Sequence, residues 1–233
     1  MKKFIRGYTL KQWNKSPELL PAEIITRLPV RADFNNDYFT DPYQGVPLNG
    51  YADLFSNILS NKNITVCLNT DFAHIRSQIS TESCVIYTGM IDEYFDYCFG
   101  ALEWRSLRFE WETHTVQDYQ GNSVINYADE NIPYTRIHEF KHYHPERTAV
   151  FNSPKTVICK EFSEEWNAGK EAYYPVNTAK NQSLLQEYQK KANNMPKLIF
   201  GGRLGCYRYW DMDKAIAGAL ECFENNFLKG DML

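Results

Sequence analysis

The residues with the clearest chemical potential lie at 198–205, where an apolar run ends in two glycines followed by an arginine. Glycines after a strand let the backbone approach a ligand closely, and Arg203 could donate to a phosphate or a ring oxygen. Asp211 then precedes a helical pattern whose first turn would carry positive partial charge. An ordinary strand-to-helix turn with a surface arginine fits the same spacing equally well.

Tyrosine and arginine side chains elsewhere in the chain could complete an anion site. Tyr174 and Tyr209 lie in aromatic runs, and tyrosine hydroxyls donate to phosphate oxygens without adding charge. Arg27 and Arg136 could add charged, bidentate donors. Because the net charge is −4, a diphosphate would need such donors gathered locally. For any single aromatic residue, a place in the core is the favoured interpretation.

Three histidines and two glutamates form further candidate clusters. His138, His142 and His144 would share one face of a strand. No Asp, Glu or Cys spacing completes a metal site with them, so surface or hydrogen-bonded histidines are favoured. Glu110 and Glu112 also share a strand face and could serve glycoside hydrolysis. Nearby arginines favour a solvated, charge-paired face instead.

Composition narrows the classes of function. The chain has 233 residues, of which 43% are hydrophobic and 23% charged, so a globular protein is favoured over a disordered one. The net charge of −4 lacks the basic footprint of nonspecific nucleic-acid binding. No apolar run approaches the roughly 18 residues that a membrane span needs. Six scattered cysteines without a CxxC pair fit reduced thiols and a cytoplasmic location.

The hydrophobic periodicity predicts an α+β protein. Successive strand-like runs without helices between 107 and 162 predict an antiparallel sheet in the middle of the chain. The flanking parts resemble fragments of an α/β layer at both ends. In chain order the predicted elements are a helix at 16–28, a turn-rich loop at 29–50, a helix at 51–59, strands at 64–68 and 84–87, sheet strands at 107–111, 123–127, 134–143 and 155–162, a helix around 184–188, a strand at 198–200 and a last helix over 212–227.

Five short motifs, in order along the chain, resemble one enzyme family. They are GYTLKQW at 7–13, RLPVR at 27–31, YQGVP at 43–47, PYTRI at 133–137 and GGRLGCYRYWDM at 201–212. Each motif is modest by itself, but the five in this order are specific and cover nearly the whole chain. The sequence thereby resembles the prokaryotic UDP-galactopyranose mutases.

This resemblance implies an isomerase that depends on reduced FAD and interconverts UDP-galactopyranose and UDP-galactofuranose. It implies a covalent adduct between flavin N5 and the sugar, with UDP as the leaving group. The protein would hold the diphosphate and present the sugar to the flavin. The turn-rich loop after residue 29 would then be a mobile lid that orders on substrate.

The resemblance also implies roles for individual residues. Arg27 and Arg136 would be the catalytic arginines that hold the diphosphate, and no metal is expected. The substrate-binding residues would be Phe4, Tyr8, Thr9, Trp13, Arg27, Tyr38, Asn126, Arg136, Tyr174 and Tyr209. The cofactor-binding residues would be Arg203, Tyr209, Asp211 and Met212.

Four segments of the α+β fold follow from the resemblance. Residues 1–44 would end a helical substrate-binding domain and carry its mobile loop, and 45–100 would be part of an α/β, Rossmann-like FAD-binding domain. Residues 101–176 would form the antiparallel sheet domain that binds substrate, and 177–233 would return to the FAD-binding domain.

One family feature is absent from the sequence. Members begin with a strand and a G-x-G-x-x-G turn that cradles the FAD pyrophosphate, and no such motif occurs here. We therefore expect the chain to correspond to the C-terminal part of the enzyme and to bind FAD weakly or not at all by itself. A homodimer and a complementing N-terminal piece are both open as assemblies.

Two other interpretations stay open at this point. Aromatic residues make up 15% of the chain, and a noncatalytic module could stack nucleotide sugars or carbohydrates on them. A decayed or split gene product would instead expose apolar surface and tend to aggregate. A UDP titration separates these cases, since binding without flavin that Arg136→Ala abolishes would favour the binding module.

Overall fold

The computed structural model describes residues 5–21, 32–34 and 39–228 of the chain, which divides into two compact units. Unit 1 comprises Met1–Thr70 and Arg108–Phe162, and unit 2 comprises Asp71–Leu107 and Ser163–Leu233. The chain therefore visits each unit twice. Within the described ranges, no helix is long and apolar enough to cross a membrane.

The helices and strands of the two units confirm the α+β class. The helices are α1 (Gly7–Trp13), α2 (Tyr51–Ile58), α3 (Phe72–Ile75), α4 (Ile91–Tyr94), α5 (Thr148–Phe151), α6 (Ala179–Ala192), α7 (Gly202–Gly205) and α8 (Met212–Phe223). The strands are β1 (Val85–Tyr87), β2 (Trp104–His114), β3 (Val124–Asn126), β4 (Arg136–Glu139), β5 (Thr156–Glu165), β6 (Tyr174–Pro175) and β7 (Leu198–Phe200). Short 3-10 turns occur at Pro17–Leu19, Arg76–Gln78 and Phe140–Tyr143, and a π-helical turn at Glu224–Leu228 follows α8.

The middle of the chain forms the predicted antiparallel sheet. Its five strands follow the order β3-β4-β5-β2-β6. β3 pairs with β4 so that Asn126 is opposite Arg136, and β4 pairs with β5 so that Arg136 is opposite Glu161. Residues directly opposite on neighbouring strands project to the same face, so this register places the three side chains in one row.

The strand predicted at 134–143 is shorter than the sequence pattern indicates. β4 ends at Glu139, and Phe140–Tyr143 forms a 3-10 turn. The fully buried Glu139 carboxylate accepts hydrogen bonds from the backbone N–H groups of Tyr119 and Gln120. Only His138 lies on the strand, and the prediction that three histidines share a strand face is wrong.

Aromatic side chains dominate the core of unit 2. Its buried members are Met90, Ile91, Tyr94, Phe95, Leu102, Trp104, Leu185, Tyr188 and Tyr207. Trp104 meets Tyr207 edge to face, with ring centroids 4.8 Å apart. Tyr188 donates its hydroxyl to the Gly100 carbonyl at 2.8 Å, so the buried ring has its polar atom satisfied. Part of the 15% aromatic content is therefore structural, while several aromatic side chains elsewhere are exposed.

β1 and β7 form a separate, parallel pair in unit 2, with Ile86 opposite Ile199. This pair confirms the strands predicted at 84–87 and 198–200. The strand predicted at 64–68 is wrong, because that segment is irregular and pairs with no described strand. Its alternating apolar side chains are exposed, since no second layer among the described residues covers them.

The last helix, α8, has the predicted apolar face, but this face is exposed. Met212, Ile216 and Leu220 are each 60% exposed. By contrast, α6 buries Leu185 to 6% exposure within the aromatic core. An amphipathic helix normally turns its apolar face toward a core. The described residues form no core against the apolar face of α8.

Two matched substitutions test this difference in burial. Leu185→Ala should lower the free energy of unfolding by about 2–5 kcal/mol, because it leaves a cavity in the core. Leu220→Ala removes the same atoms from an exposed site and should change the free energy of unfolding by less than about 0.5 kcal/mol. Urea unfolding of the purified chain measures both. Equal losses would contradict the exposed α8 face.

Candidate functional site

Arg136 and Tyr8 form the first group of predicted site residues, in unit 1. An Arg136 Nη2 group donates to the Tyr8 hydroxyl at 2.6 Å, which joins the start of β4 to helix α1. The Arg136 Nε atom lies 3.3 Å from Oε1 of Glu161, the residue opposite it on β5. Asn126 occupies the opposite position on β3. The guanidinium is therefore held in one orientation by two neighbours on different elements.

Glu161 is a residue of this group that sequence analysis missed. Its side chain is only 5% exposed and accepts a hydrogen bond from the Thr135 hydroxyl at 3.3 Å. Its other oxygen lies 3.4 Å from the His138 Nε2 atom. The carboxylate thus balances the arginine charge and fixes its direction. Opposite charges on two distant strands give no local signal, and only the register of β4 and β5 would have found this residue.

Thr9 and Trp13 lie on α1 with Tyr8 but are buried, at 5% and 6% exposure. Asn14 ends the helix in the left-handed conformation, with φ at 50°, and its N–H bonds to the Leu10 carbonyl. The structure therefore brings together Tyr8, Arg136 and Asn126. Contact of Thr9 and Trp13 with a nucleotide stays a prediction.

A second group of predicted residues lies in unit 2. The rings of Tyr174 and Tyr209 stack with centroids 5.2 Å apart and an angle of 19° between them. The Arg203 guanidinium carbon lies 5.0 Å from the Tyr174 centroid and 4.7 Å from that of Tyr209, a cation–π arrangement. In the described part of the chain, the buried Nε and Nη2 atoms of Arg203 have no hydrogen-bond partner. Unsatisfied buried donors are costly, so they mark a place suited to a ligand acceptor.

The turn that carries Arg203 depends on glycine. Gly202 follows β7 with φ at +70°, a conformation that side chains rarely adopt. At Gly205, an added Cβ would lie 2.9 Å from the Tyr87 carbonyl oxygen. The close backbone approach that the structure shows at 201–205 is made to β1 and serves packing of α7, and the predicted approach to a ligand stays a prediction.

Tyr207 is a second residue whose role sequence analysis missed. It is buried and has φ at 49°, in the left-handed region. Its hydroxyl donates to the Glu103 carbonyl at 2.6 Å and lies 3.1 Å from the Val176 carbonyl. Burial raises the pKa of this hydroxyl, so it stays a donor. These bonds fix the backbone between Arg203 and Tyr209.

The remaining predicted cofactor residues start α8. Asp211 occupies the N-cap position with extended backbone, and its side chain makes no capping bond to the described residues. Met212 follows and is exposed. Both side chains face solvent in the ligand-free chain. The predicted roles of Phe4, Arg27 and Tyr38, and most of the helix predicted at 16–28, lie outside the described residues.

The histidine cluster has a different composition from the one predicted. Asp118, Glu139 and His142 bring one ligand atom each within 4.8 Å of one another. However, Glu139 already accepts from the N–H groups of Tyr119 and Gln120 and from a threonine hydroxyl. These bonds anchor a turn to the end of β4, which gives the buried carboxylate a structural role.

The two glutamates on β2 are charge-paired. Glu110 pairs with Arg108, and Glu112 pairs with Lys160 and with His114. The hydrogen bond from Lys160 lowers the pKa of Glu112 and keeps it ionised. This arrangement agrees with the solvated, charge-paired face that the sequence favours over a glycosidase pair.

Comparison with known proteins gives these residues a family context. Residues 3–209 match the family model of UDP-galactopyranose mutase. The chain is 39% identical over 225 residues to dTDP-fucopyranose mutase of Escherichia coli, which covers 95% of this chain and 59% of that protein. It is 38% identical over 219 residues to a probable UDP-galactopyranose mutase of Klebsiella pneumoniae. That alignment covers 94% of this chain and 55% of that protein.

A UDP-galactopyranose mutase of Mycoplasma pneumoniae is 33% identical over 227 residues, which cover 91% of this chain and 56% of that protein. The chain thus spans a little more than half the length of the curated relatives it matches. Since the family model matches almost the whole chain, and relatives agree over more than nine-tenths of it, this chain belongs to the UDP-galactopyranose mutase family.

Proposed function

We propose that this chain binds a nucleotide sugar as part of a UDP-galactopyranose mutase, an isomerase that interconverts UDP-galactopyranose and UDP-galactofuranose. Family membership supports the reaction. The Arg136 guanidinium, held between Tyr8 and Glu161, is the observation that carries the binding role. A guanidinium with a fixed orientation suits a diphosphate, which accepts parallel hydrogen bonds from it.

The chemistry asks the protein to stabilise the diphosphate as it leaves the sugar. Arg136, together with Arg27 by family resemblance, would neutralise the charge that grows on the leaving oxygen. The Tyr8 hydroxyl would add a donor without further charge, and the family resemblance implies the same role for Tyr174 and Tyr209. Such donors, fixed before the substrate arrives, need little rearrangement during the reaction.

FAD, which the mutase family generally requires, is the proposed cofactor, in its reduced form for activity. The two buried Arg203 donors without a partner in the described residues suit the ring carbonyl oxygens of a flavin. Tyr209, Asp211 and Met212 would hold the same group, as the family resemblance implies. When bound and reduced, a flavin would supply the nucleophilic nitrogen for this chemistry.

We infer that β1 and β7 belong to a larger, Rossmann-like parallel layer of a FAD-binding domain. Parallel strands occur almost only in sheets whose two faces are both covered. Ile86 on β1 and the apolar face of α8 are exposed, which supports a further layer over them. A complementing α/β polypeptide would provide that layer, and a homodimer is the other arrangement. Six free cysteines suit a reducing, cytoplasmic compartment.

The relatives differ in the nucleotide and the sugar that their names give, so both are left to experiment for this chain. One relative is a dTDP-fucopyranose mutase, and others are UDP-galactopyranose mutases. UDP and dTDP carry the same diphosphate group. Competition between UDP and dTDP in the binding experiment below therefore separates the two nucleotides without changing the assignment of Arg136.

A UDP titration of Arg136→Ala tests the binding role. Loss of hydrogen bonds to a charged group costs about 1.5–3 kcal/mol, so the affinity for UDP should fall about tenfold to a hundredfold. Arg147→Ala is the matched control, because Arg147 also lies in unit 1 but donates to the Leu48 carbonyl. Calorimetry measures both variants. An Arg136→Ala chain that binds UDP as tightly as the wild type would exclude the proposed site.

Substitution of Arg203 tests whether this charge serves a ligand. Arg203→Met keeps much of the volume and removes two unsatisfied donors, so the ligand-free chain should be as stable as the wild type or more stable by about 1 kcal/mol. Added FAD should bind this variant more weakly than the wild type. Arg208→Met, at an exposed position, should change neither quantity. Destabilisation of the ligand-free chain by Arg203→Met would show that the guanidinium is a structural group.

Flavin absorbance of the purified chain tests its capacity to hold the cofactor alone. We expect less than stoichiometric flavin, because the sequence contains no G-x-G-x-x-G turn for the cofactor's pyrophosphate. One flavin bound per chain after purification would contradict the expectation.

A further inference from the structure

The ammonium group of Lys11, on helix α1, makes hydrogen bonds to three backbone carbonyls of one loop. The Nζ atom donates to the carbonyl oxygens of Tyr127 at 2.5 Å, Ile132 at 3.0 Å and Tyr134 at 3.0 Å. A lysine has three N–H donors, so these three bonds satisfy it completely. The three carbonyls belong to the connection between β3 and β4, which leads directly to Arg136.

Helix α1 also touches the same loop through its backbone. A Cβ built on Gly7 would lie 2.2 Å from the Ala128 carbonyl oxygen, so only glycine fits there. Gly7 and Lys11 are four residues apart and therefore lie on one side of the helix. Together they form a seam between α1 and the 127–134 loop.

The loop is fixed at its other side to the sheet. Thr135 is fully buried, and both its N–H group and its hydroxyl bond to the Glu161 carbonyl, at 2.8 and 3.0 Å. The Tyr127 N–H group bonds to the Thr135 carbonyl at 2.9 Å. The loop therefore has little freedom of its own, and α1 takes its position from it. The 2.6 Å hydrogen bond between Arg136 and Tyr8 joins the residue after Thr135 to the same helix, α1.

Burial lowers the pKa of Lys11, and the nearby Asp129 carboxylate opposes that change. Loss of the ammonium would leave three backbone carbonyls of the loop without their donor. A carbonyl acceptor left without its donor destabilises the structure around it, so the seam should loosen when Lys11 is replaced.

We propose that Lys11 is a positioning residue for nucleotide-diphosphate binding, which holds α1 against the 127–134 loop and so keeps Tyr8 paired with Arg136. This inference rests on the proposed function, since it assigns the Tyr8–Arg136 pair to the diphosphate. Lys11 itself acts through that pair, because its three donors are all used by the loop.

A double-mutant cycle tests the coupling, with UDP as the probe and the full chain as the protein. Lys11→Met should weaken UDP binding about tenfold in the wild-type background. In an Arg136→Lys background, where the fixed guanidinium is already gone, the same change should have little further effect. Lys62→Met removes an exposed lysine of the same unit and should leave the UDP affinity unchanged. A folded Lys11→Met chain that binds UDP like the wild type would overturn the proposal, as would additive effects of the two substitutions.

A more conservative variant and a measurement without ligand extend the test to the case in which Lys11→Met does not fold. Lys11→Gln retains two N–H donors and should fold even where Lys11→Met does not, with a smaller loss of UDP affinity. The Arg136 Nε–H resonance, assigned by its absence in Arg136→Lys, should shift in both Lys11 variants and not in Lys62→Met. If the wild-type chain binds no UDP, the proposed function fails with its diphosphate site, and the resonance then decides only whether Lys11 orients the Arg136 side chain. An unchanged resonance would refute it.

Discussion

The ion pair between Arg136 on β4 and Glu161 on β5 organises the predicted substrate residues of unit 1. The two residues are direct partners across the strands, so the pair exists only when the sheet has its correct register. With its Nε atom beside Glu161, the guanidinium can turn another edge to Tyr8. A buried carboxylate beside an arginine thus converts a long, flexible side chain into a rigid donor, at the expense of part of its net charge.

Arg203 in unit 2 has a different environment from that of Arg136. Arg203 is placed over two stacked tyrosine rings rather than beside a carboxylate, and it keeps donors that no described group uses. Sites of this kind commonly lower the stability of the free protein, because the cost of the buried charge is recovered only with a ligand. The rigid backbone around Tyr207, with its left-handed φ and two carbonyl partners, maintains the arrangement in the meantime.

Local signals in the sequence predict some of this chain well. The apolar run at 198–200 and the glycines after it are local signals that correctly predict a strand and a turn, although the strand itself forms by pairing with β1, more than 110 residues earlier. The alternating run at 64–68 led to a wrong strand prediction. Alternating apolar and polar residues are compatible with a strand, but they do not show whether a partner strand exists to pair with it. Glu161 and Lys11 were missed for a related reason. Their partners lie 25 and more than 110 residues away, and charge or hydrogen bonding at that distance leaves no periodic trace.

The uncovered apolar faces of α8 and β1 have a thermodynamic consequence. The heat capacity change of unfolding comes mainly from apolar surface that becomes hydrated, at about 12–15 cal/mol/K per residue for ordinary globular proteins. Side chains such as Ile216 and Leu220 are already hydrated in the folded chain and contribute little to that change. The stability curve of this chain is therefore flatter with temperature than its length would suggest, and whatever covers these faces would restore the curvature.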